Sequence, residues 1–309
     1  MTAHDQHRAT TPPSGSDTQV RKRMWTPWRM KYVGGSASEP GCIFCNRLAG
    51  DDDAASLILH RGERAFAIMN LYPYNTGHLM IVPNAHVASA EDADPADLAE
   101  IATLLRPISR ALRLVLNPAG FNIGMNMGDV AGAGVAEHLH MHVVPRWHGD
   151  ANFMPILAST MVMPELIPVT YAKVRAEIAR GYLPPGATPS MPLIVLDETA
   201  EFLLVRRHAN DAKLPTTEPY EAEAAWRSAA RTLADLKIDA SLIRWAGTGR
   251  IGEQTPAFTF VAAKPSTGKR ADVAWVPVVE AVDALNKADA ALVQSAVARH
   301  TSPVVALPG

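Results

Sequence analysis

His138-Leu139-His140-Met141-His142-Val143-Val144-Pro145 decides how this chain is read. Three imidazoles alternate with apolar side chains, the period-two pattern of a strand with one polar and one apolar face. On such a strand His138, His140 and His142 share a face, about 6–7 Å from one to the next. Leu139, Met141 and Val143 then point into a core. A face of three histidines has a chemical use, because imidazole is both a nucleophile and a metal ligand near neutral pH. Seven of the 11 histidines lie between His60 and His148, so this chemistry belongs to the first half of the chain.

The surrounding sequence supplies the rest of a sheet. Ala65–Met69 and His78–Pro83 are short apolar runs, and Leu71–Gly77 between them has turn chemistry. Asp94-Pro95 has the form of an N-cap followed by proline at the first helical position. Leu98, Ile101, Leu104, Leu105, Ile108, Leu112 and Val115 follow at helical spacing, so a long amphipathic helix is expected to about Leu116, with a possible kink at Pro107. Phe121–Asn126 and His138–Pro145 complete the strands, and a second helix is expected near Pro168–Arg180. The expected fold class is α+β, an antiparallel sheet with one main helix over residues 23–182. Residues 1–22 read as a disordered tail. Residues 183–190 read as a linker. A second, smaller α/β unit is expected over 191–309, with strands at Leu193–Leu196, Glu201–Arg206, Ala257–Ala263 and Val273–Val276. Its helices run from Glu221 to Leu236 and through an Ala-rich end.

Composition excludes several classes. The 309 residues carry a net charge of −2, which argues against a polycationic nucleic-acid binder. No apolar run is long enough to span a membrane, and the N-terminus lacks a signal-peptide core. Two cysteines form no disulfide framework, and a cytoplasmic location is expected. Those cysteines are Cys42-Ile43-Phe44-Cys45. A lone C-x-x-C is a redox pair, half of a zinc site or two packed thiols. The redox reading wants a thioredoxin-like context that this sequence lacks, and zinc needs two more ligands, for which histidines are at hand. Spacing alone does not say which.

Gly77-His78-Leu79-Met80-Ile81-Val82-Pro83-Asn84-Ala85-His86, Asn122–Asn126 and His138–Arg146 together resemble the histidine triad (HIT) superfamily of nucleotide hydrolases and transferases. Trp25–Tyr32, Asn70–Asn75 and Gly149–Met154 are similar to its bacterial ATP adenylyltransferase, or diadenosine tetraphosphate phosphorylase, branch. The resemblance covers about residues 24–180. It implies that His140 attacks the α-phosphorus of a nucleoside polyphosphate and carries a covalent nucleotidyl group, which phosphate or water then removes. It implies that His142 donates to the phosphate oxygens, that Asn126 contacts phosphate, and that Gly132, Ala133 and Gly134 offer backbone N–H groups. Asn70 is implied to bind the ribose hydroxyls, and Phe66 and Ile68 to wall the base. By the same resemblance Cys42, Cys45, His86 and His138 form a structural zinc site. No organic cofactor, membrane or nucleic acid is implied, and relatives are often homodimers. Val135 stands where many small relatives carry Ser or Thr, which leaves the leaving group and acceptor open. A water-using hydrolase and a non-catalytic nucleotide sensor are the alternatives.

Leu203–Arg207, Leu214-Pro215, Ala225–Ile238 and Val273–Pro277 resemble the framework of a Nudix domain. That family presents paired carboxylates to magnesium from its helix. Here Thr216-Thr217 follow Leu214-Pro215, and Asp235 is the lone carboxylate at the expected place, so the unit is read as catalytically dead.

Overall fold

The computed structural model describes residues 40–128, 130–150, 165–183, 190–208, 211–220, 222–247, 257–263 and 273–300. The expected tail at 1–22, the Trp25–Tyr32 segment, residues 151–154 and most of the expected linker, 184–189, lie outside them.

Two sheets share one buried helix. The first sheet is antiparallel, in the order β1 (Ile58–Arg61), β2 (Ala65–Met69), β3 (Leu79–Pro83), β5 (Met141–Arg146), β4 (Gly120–Met125). The alternation in β5 sorts its side chains. Met141 and Val143 join Leu79, Ile81, Ala65 and Ala67 on one face, under Ile101, Leu104, Ile108 and Leu112 of the long helix α3 (Pro95–Leu116). Asp94 caps α3 by accepting from the Ala96 N–H at 2.8 Å, and Asn117 ends it in the left-handed conformation. The helix continues through Pro107. The opposite face carries Phe66, Ile68, Met80 and Val82, and a short helix, α1 (Ile43–Ala49), lies over it through Phe44. A second short helix, α2 (Asp53–Ser56), leads into β1.

Gly77 sets the entry to β3. Its φ is +80°, and a Cβ there would overlap Leu116 Cδ1, so only glycine turns the chain into His78 this close to the helix.

Helix α4 (Ile167–Gly181) is buried almost all round. It touches α3 and β1 on one side. On the other it touches β10 (Ala240–Ala246) and α5 (Ala225–Asp235) of the second sheet. That sheet runs β10, β11 (Ala257–Ala262), β6 (Met191–Leu196), β7 (Phe202–His208), β12 (Val273–Pro277). Strand β8 (Asp211–Lys213) pairs with β7, and β9 (Thr216–Thr217) with β6. Strands β11 and β6 are parallel and the other pairs antiparallel. Leu193, Val195, Phe258 and Phe260 point toward α4 and share one core with the first sheet. Ile194, Leu196, Leu203 and Val205 point the other way, onto α6 (Val278–Ala284) and α7 (Lys287–His300). None of the helices among the described residues is long and apolar enough to cross a membrane.

Three features depart from the expectations. The ladder of β5 begins at Met141, so His138 and His140 precede the paired strand, and both are buried, as are Leu139 and Met141 beside them. The Ala-rich end divides into α6 and α7, because Asn286 accepts from the Asp289 N–H at 3.0 Å and starts a new helix. Helices α1 and α2 and strands β1 and β10 were not foreseen. The first three are too short for a hydrophobic period to register, and β10 mixes Ser241 and Arg244 with apolar residues.

Candidate active site and adjoining metal-ligand cluster

The three histidines of the central motif divide between two neighbouring sites. His138 turns its Nδ1 toward the cysteines, 3.3 Å from Cys42 Sγ and 3.7 Å from Cys45 Sγ. His86 Nδ1 lies 3.4 Å from Cys45 Sγ and 3.3 Å from His138 Nδ1. All four candidate ligand atoms lie within 4.8 Å of one another. A tetrahedral ion with bonds of about 2.0–2.3 Å sets its ligands roughly 3.3–3.8 Å apart, so the four positions fit one. The His138 Nε2–H donates to the Pro83 carbonyl at 3.0 Å, which leaves Nδ1 as the ligating nitrogen. Burial lowers the His138 pKa, which favours the neutral, ligating ring. Burial also raises the Cys45 thiol, a cost that a dication beside it offsets. The cluster can therefore hold a metal ion, and it ties the start of α1 to the central motif.

His140 and His142 face the other way, into a cleft of about 690 Å³ including its open mouth. One wall is α1, with Ile43, Phe44 and Arg47; the floor is Ile68, Met80 and Asn70; Gly134 and Val135 close a side. The His140 Nδ1–H donates to the His138 carbonyl at 2.8 Å, so Nε2 keeps the lone pair. His142 is fixed by a residue that sequence reasoning passed over. The Tyr74 backbone N–H donates to His78 Nδ1 at 3.0 Å, which makes the His78 Nε2–H a donor to His142 Nδ1, also at 3.0 Å. His142 thereby carries its proton on Nε2. Tyr74 stacks on the His78 ring with centroids 4.8 Å apart. The fully buried His78 was quoted only as part of a motif; the signal that could have found it is a histidine directly after an obligatory glycine turn. Arg47, Tyr72 and Tyr74 were missed too, since cleft residues on a short helix and a turn carry no periodic signature.

The remaining sequence candidates fall at graded distances from this cleft. Ile68 and Asn70 line it, and Asn70 Oδ1 accepts from the Tyr72 N–H at 2.8 Å. Phe66 is fully buried behind Ile68 in the same apolar cluster and does not line the cleft. Gly134 lines it, whereas Gly132 and Ala133 lie on the loop just outside, with Gly132 at φ +83°. Asn126 follows the last residue of β4, one position beyond the final pair Met125↔Met141, and is not part of the cleft lining.

The HIT domain family pattern matches residues 52–149. A Mycobacterium tuberculosis protein named AP-4-A phosphorylase is 40% identical over 167 residues, spanning 52% of this chain and 85% of the relative. A Bacillus subtilis relative named Protein hit is 30% identical over 112 residues, 36% of this chain and 75% of that protein. Among solved structures, a zinc-bound histidine triad family protein from Mycobacterium smegmatis is 28% identical with a TM-score of 0.38, covering 45% of this chain and 94% of that one.

Proposed function

This chain belongs to the histidine triad family, and we propose that it is a nucleotidyltransferase acting on dinucleoside polyphosphates, with phosphate as acceptor. The observation that carries this reading is the tautomer pair at the cleft: His140 with a lone pair on Nε2, and His142 with a proton on Nε2, on adjacent positions of one face. A nucleophile and a hydrogen-bond donor side by side are what displacement at a phosphorus needs.

In the proposed reaction a nucleobase enters the apolar end of the cleft, between Phe44 and Ile68, and the ribose hydroxyls meet Asn70. His140 Nε2 attacks the α-phosphorus of diadenosine tetraphosphate. A P–N bond forms, the bond to the bridging oxygen breaks, and ATP leaves with the electron pair. His142 donates to the phosphate oxygens as their charge grows. The loaded imidazole is cationic and so is itself a good leaving group. An inorganic phosphate oxygen then attacks, the P–N bond breaks, and ADP leaves while His140 returns to its neutral form. Gly132, Ala133 and Gly134 would bring backbone N–H groups near the phosphates, and Asn126 would reach them from β4.

Zinc is the ion proposed for Cys42, Cys45, His86 and His138, because two thiolates and two imidazoles are its donor set and the spacing suits a closed tetrahedral site. The ion would be structural. It would hold α1 in place and fix the carbonyl that orients His140. A homodimer through the exposed edge of β4, where Ile123 is 45% exposed, completes the proposal. For the second unit we keep the catalytically dead Nudix-like reading. Its support is that α5 carries a single carboxylate, Asp235, where paired carboxylates would be needed to hold magnesium.

The test is incubation with diadenosine tetraphosphate with and without phosphate. ATP plus ADP formed only with phosphate supports the proposal. ATP plus AMP formed without phosphate makes the chain a hydrolase. AMP binding that survives His140→Ala, with no turnover by the wild type, makes it a sensor.

A further inference from the structure

We propose that a buried ionic chain, Arg175–Asp53–Arg61, is a positioning device through which the second sheet sets the nucleotide affinity of the cleft; this rests on the nucleotide reading above. Helix α1 supplies Ile43, Phe44 and Arg47 to the cleft, and α2 supplies Ser56. At seven residues, without a side-chain cap at its start, α1 is too short to hold its own place. Its beginning is tied down by the cysteine–histidine cluster. Its end is held by Arg61, whose guanidinium donates to the carbonyls of Leu48 and Gly50, both at 2.6 Å.

Arg61 does not stand alone. Its Nε–H donates to Asp53 Oδ1 at 2.7 Å, and Asp53 Oδ2 lies 3.3 Å from Arg175 Nη2. Arg175 also donates to the Tyr171 hydroxyl at 2.8 Å and to the Ile58 carbonyl of β1. Its guanidinium carbon sits 5.6 Å from the ring centre of Trp245 on β10, in the second sheet. Arg175 and Asp53 are each 1% exposed and Arg61 is 7% exposed. Charges this deep keep their partners, because separating them in a low-dielectric interior is costly. A displacement of Trp245 therefore reaches Arg175, then Asp53 and Arg61, and then the cleft wall. A second tie runs in parallel. Arg299 of α7 pairs with Asp52 at 2.5 Å, and the same Asp52 side chain caps α2 by accepting from the Ala55 N–H at 2.9 Å. Neither tie contacts His140 or His142 directly, and Phe44 of the held wall meets the His140 ring at 5.2 Å between centroids, so the affinity for the nucleoside end should respond far more than the chemical step.

The experiment compares the full-length wild type with Arg175→Lys, Arg61→Lys and Arg299→Gln. It measures melting temperature, AMP affinity by calorimetry, and KM and kcat for phosphorolysis of diadenosine tetraphosphate. Lysine keeps the charge and loses the fork, so the first two variants uncouple the chain without leaving Asp53 alone. We expect the AMP dissociation constant and KM to rise about tenfold in Arg175→Lys and Arg61→Lys, and about threefold in Arg299→Gln, with kcat within about twofold. Folded variants with a lower melting temperature but unchanged AMP affinity and KM would reduce the chain to a stability feature and overturn the inference, as would a loss confined to kcat. If Arg175→Lys does not fold, the more exposed Arg61 and Arg299 decide the matter. A wild type that binds no AMP would remove the nucleotide reading itself, whereas a wild type that binds it alongside indifferent variants would remove this inference alone.

Discussion

The two sheets of this molecule both build buried cores, yet among the described residues it is the first that turns histidines into a cleft. The described strands of the second are packed on both faces. Phe258, Leu193 and Val195 lie under α4, and Ile194, Leu203 and Val205 lie under α6 and α7. The first is sealed on one face by the 22-residue α3, but its other face is covered by the seven-residue α1. A helix that short leaves a cleft beside it, and His140 and His142 open into that cleft. Reactive side chains appear where a sheet face is incompletely covered, and the cover must then be secured by something other than apolar area. Here it is secured by a metal-ligand cluster at one end and buried charge at the other.

This contrast makes separable demands on the two sheets. The largest effect should come from His140→Ala, which removes the proposed nucleophile: phosphorolysis of diadenosine tetraphosphate should fall at least about 10³-fold, while the melting temperature holds, as turnover and thermal unfolding on one sample would tell. Truncation inside the second sheet should do the reverse. Leu203→Ala, on the face turned away from Trp245, should cost about 2–5 kcal/mol of stability by denaturant unfolding, with kcat/KM of the folded fraction unchanged; a selective loss of activity would erase the division of labour. Cys42→Ser lies between them. We expect bound zinc to drop from one per chain by elemental analysis, and AMP affinity to weaken severalfold as α1 loosens; full affinity in zinc-free protein would show that the cluster does not hold the cleft wall.

The smallest effect concerns pH. His60 on β1 stacks on Tyr182 with ring centres 4.4 Å apart, and burial, aided by the nearby Arg175 charge, lowers its pKa. The fold thus favours the neutral ring, while the unfolded chain takes up a proton near the ordinary histidine value. His60 therefore leaves stability untouched above about pH 6.5 and subtracts from it as the pH falls below that value. His60→Phe should flatten the decline of stability between pH 7 and pH 5, read from unfolding midpoints; an unaltered slope would assign the decline to other groups.

Much of the first sheet was legible in advance. Ala65–Met69 and the Asp94-capped helix to Leu116 appear where their patterns placed them, because each has enough residues for a period and a terminal signal. The alternation of the central motif also placed Met141 and Val143 in the core. The same alternation put the three histidines on one face and was silent on their different partners. His138 turns to the cysteines and His142 to His78, a residue 64 positions away. Phe66, expected with Ile68 to wall the base, is buried in one apolar cluster with Ile68 and Phe44, and of the three it is Ile68 and Phe44 that line the cleft. Arg175, Asp53 and Arg61 carry no mark in the linear chain that sets them apart from other charges; they are buried because α4 lies between two sheets.

Local pattern and residue chemistry thus established the strands, the main helix and the kinds of group available, since those depend on neighbours a few positions away. Which imidazole meets metal, which meets the cleft, and which charges are buried were settled by packing, because each depends on contacts between residues far apart in the chain.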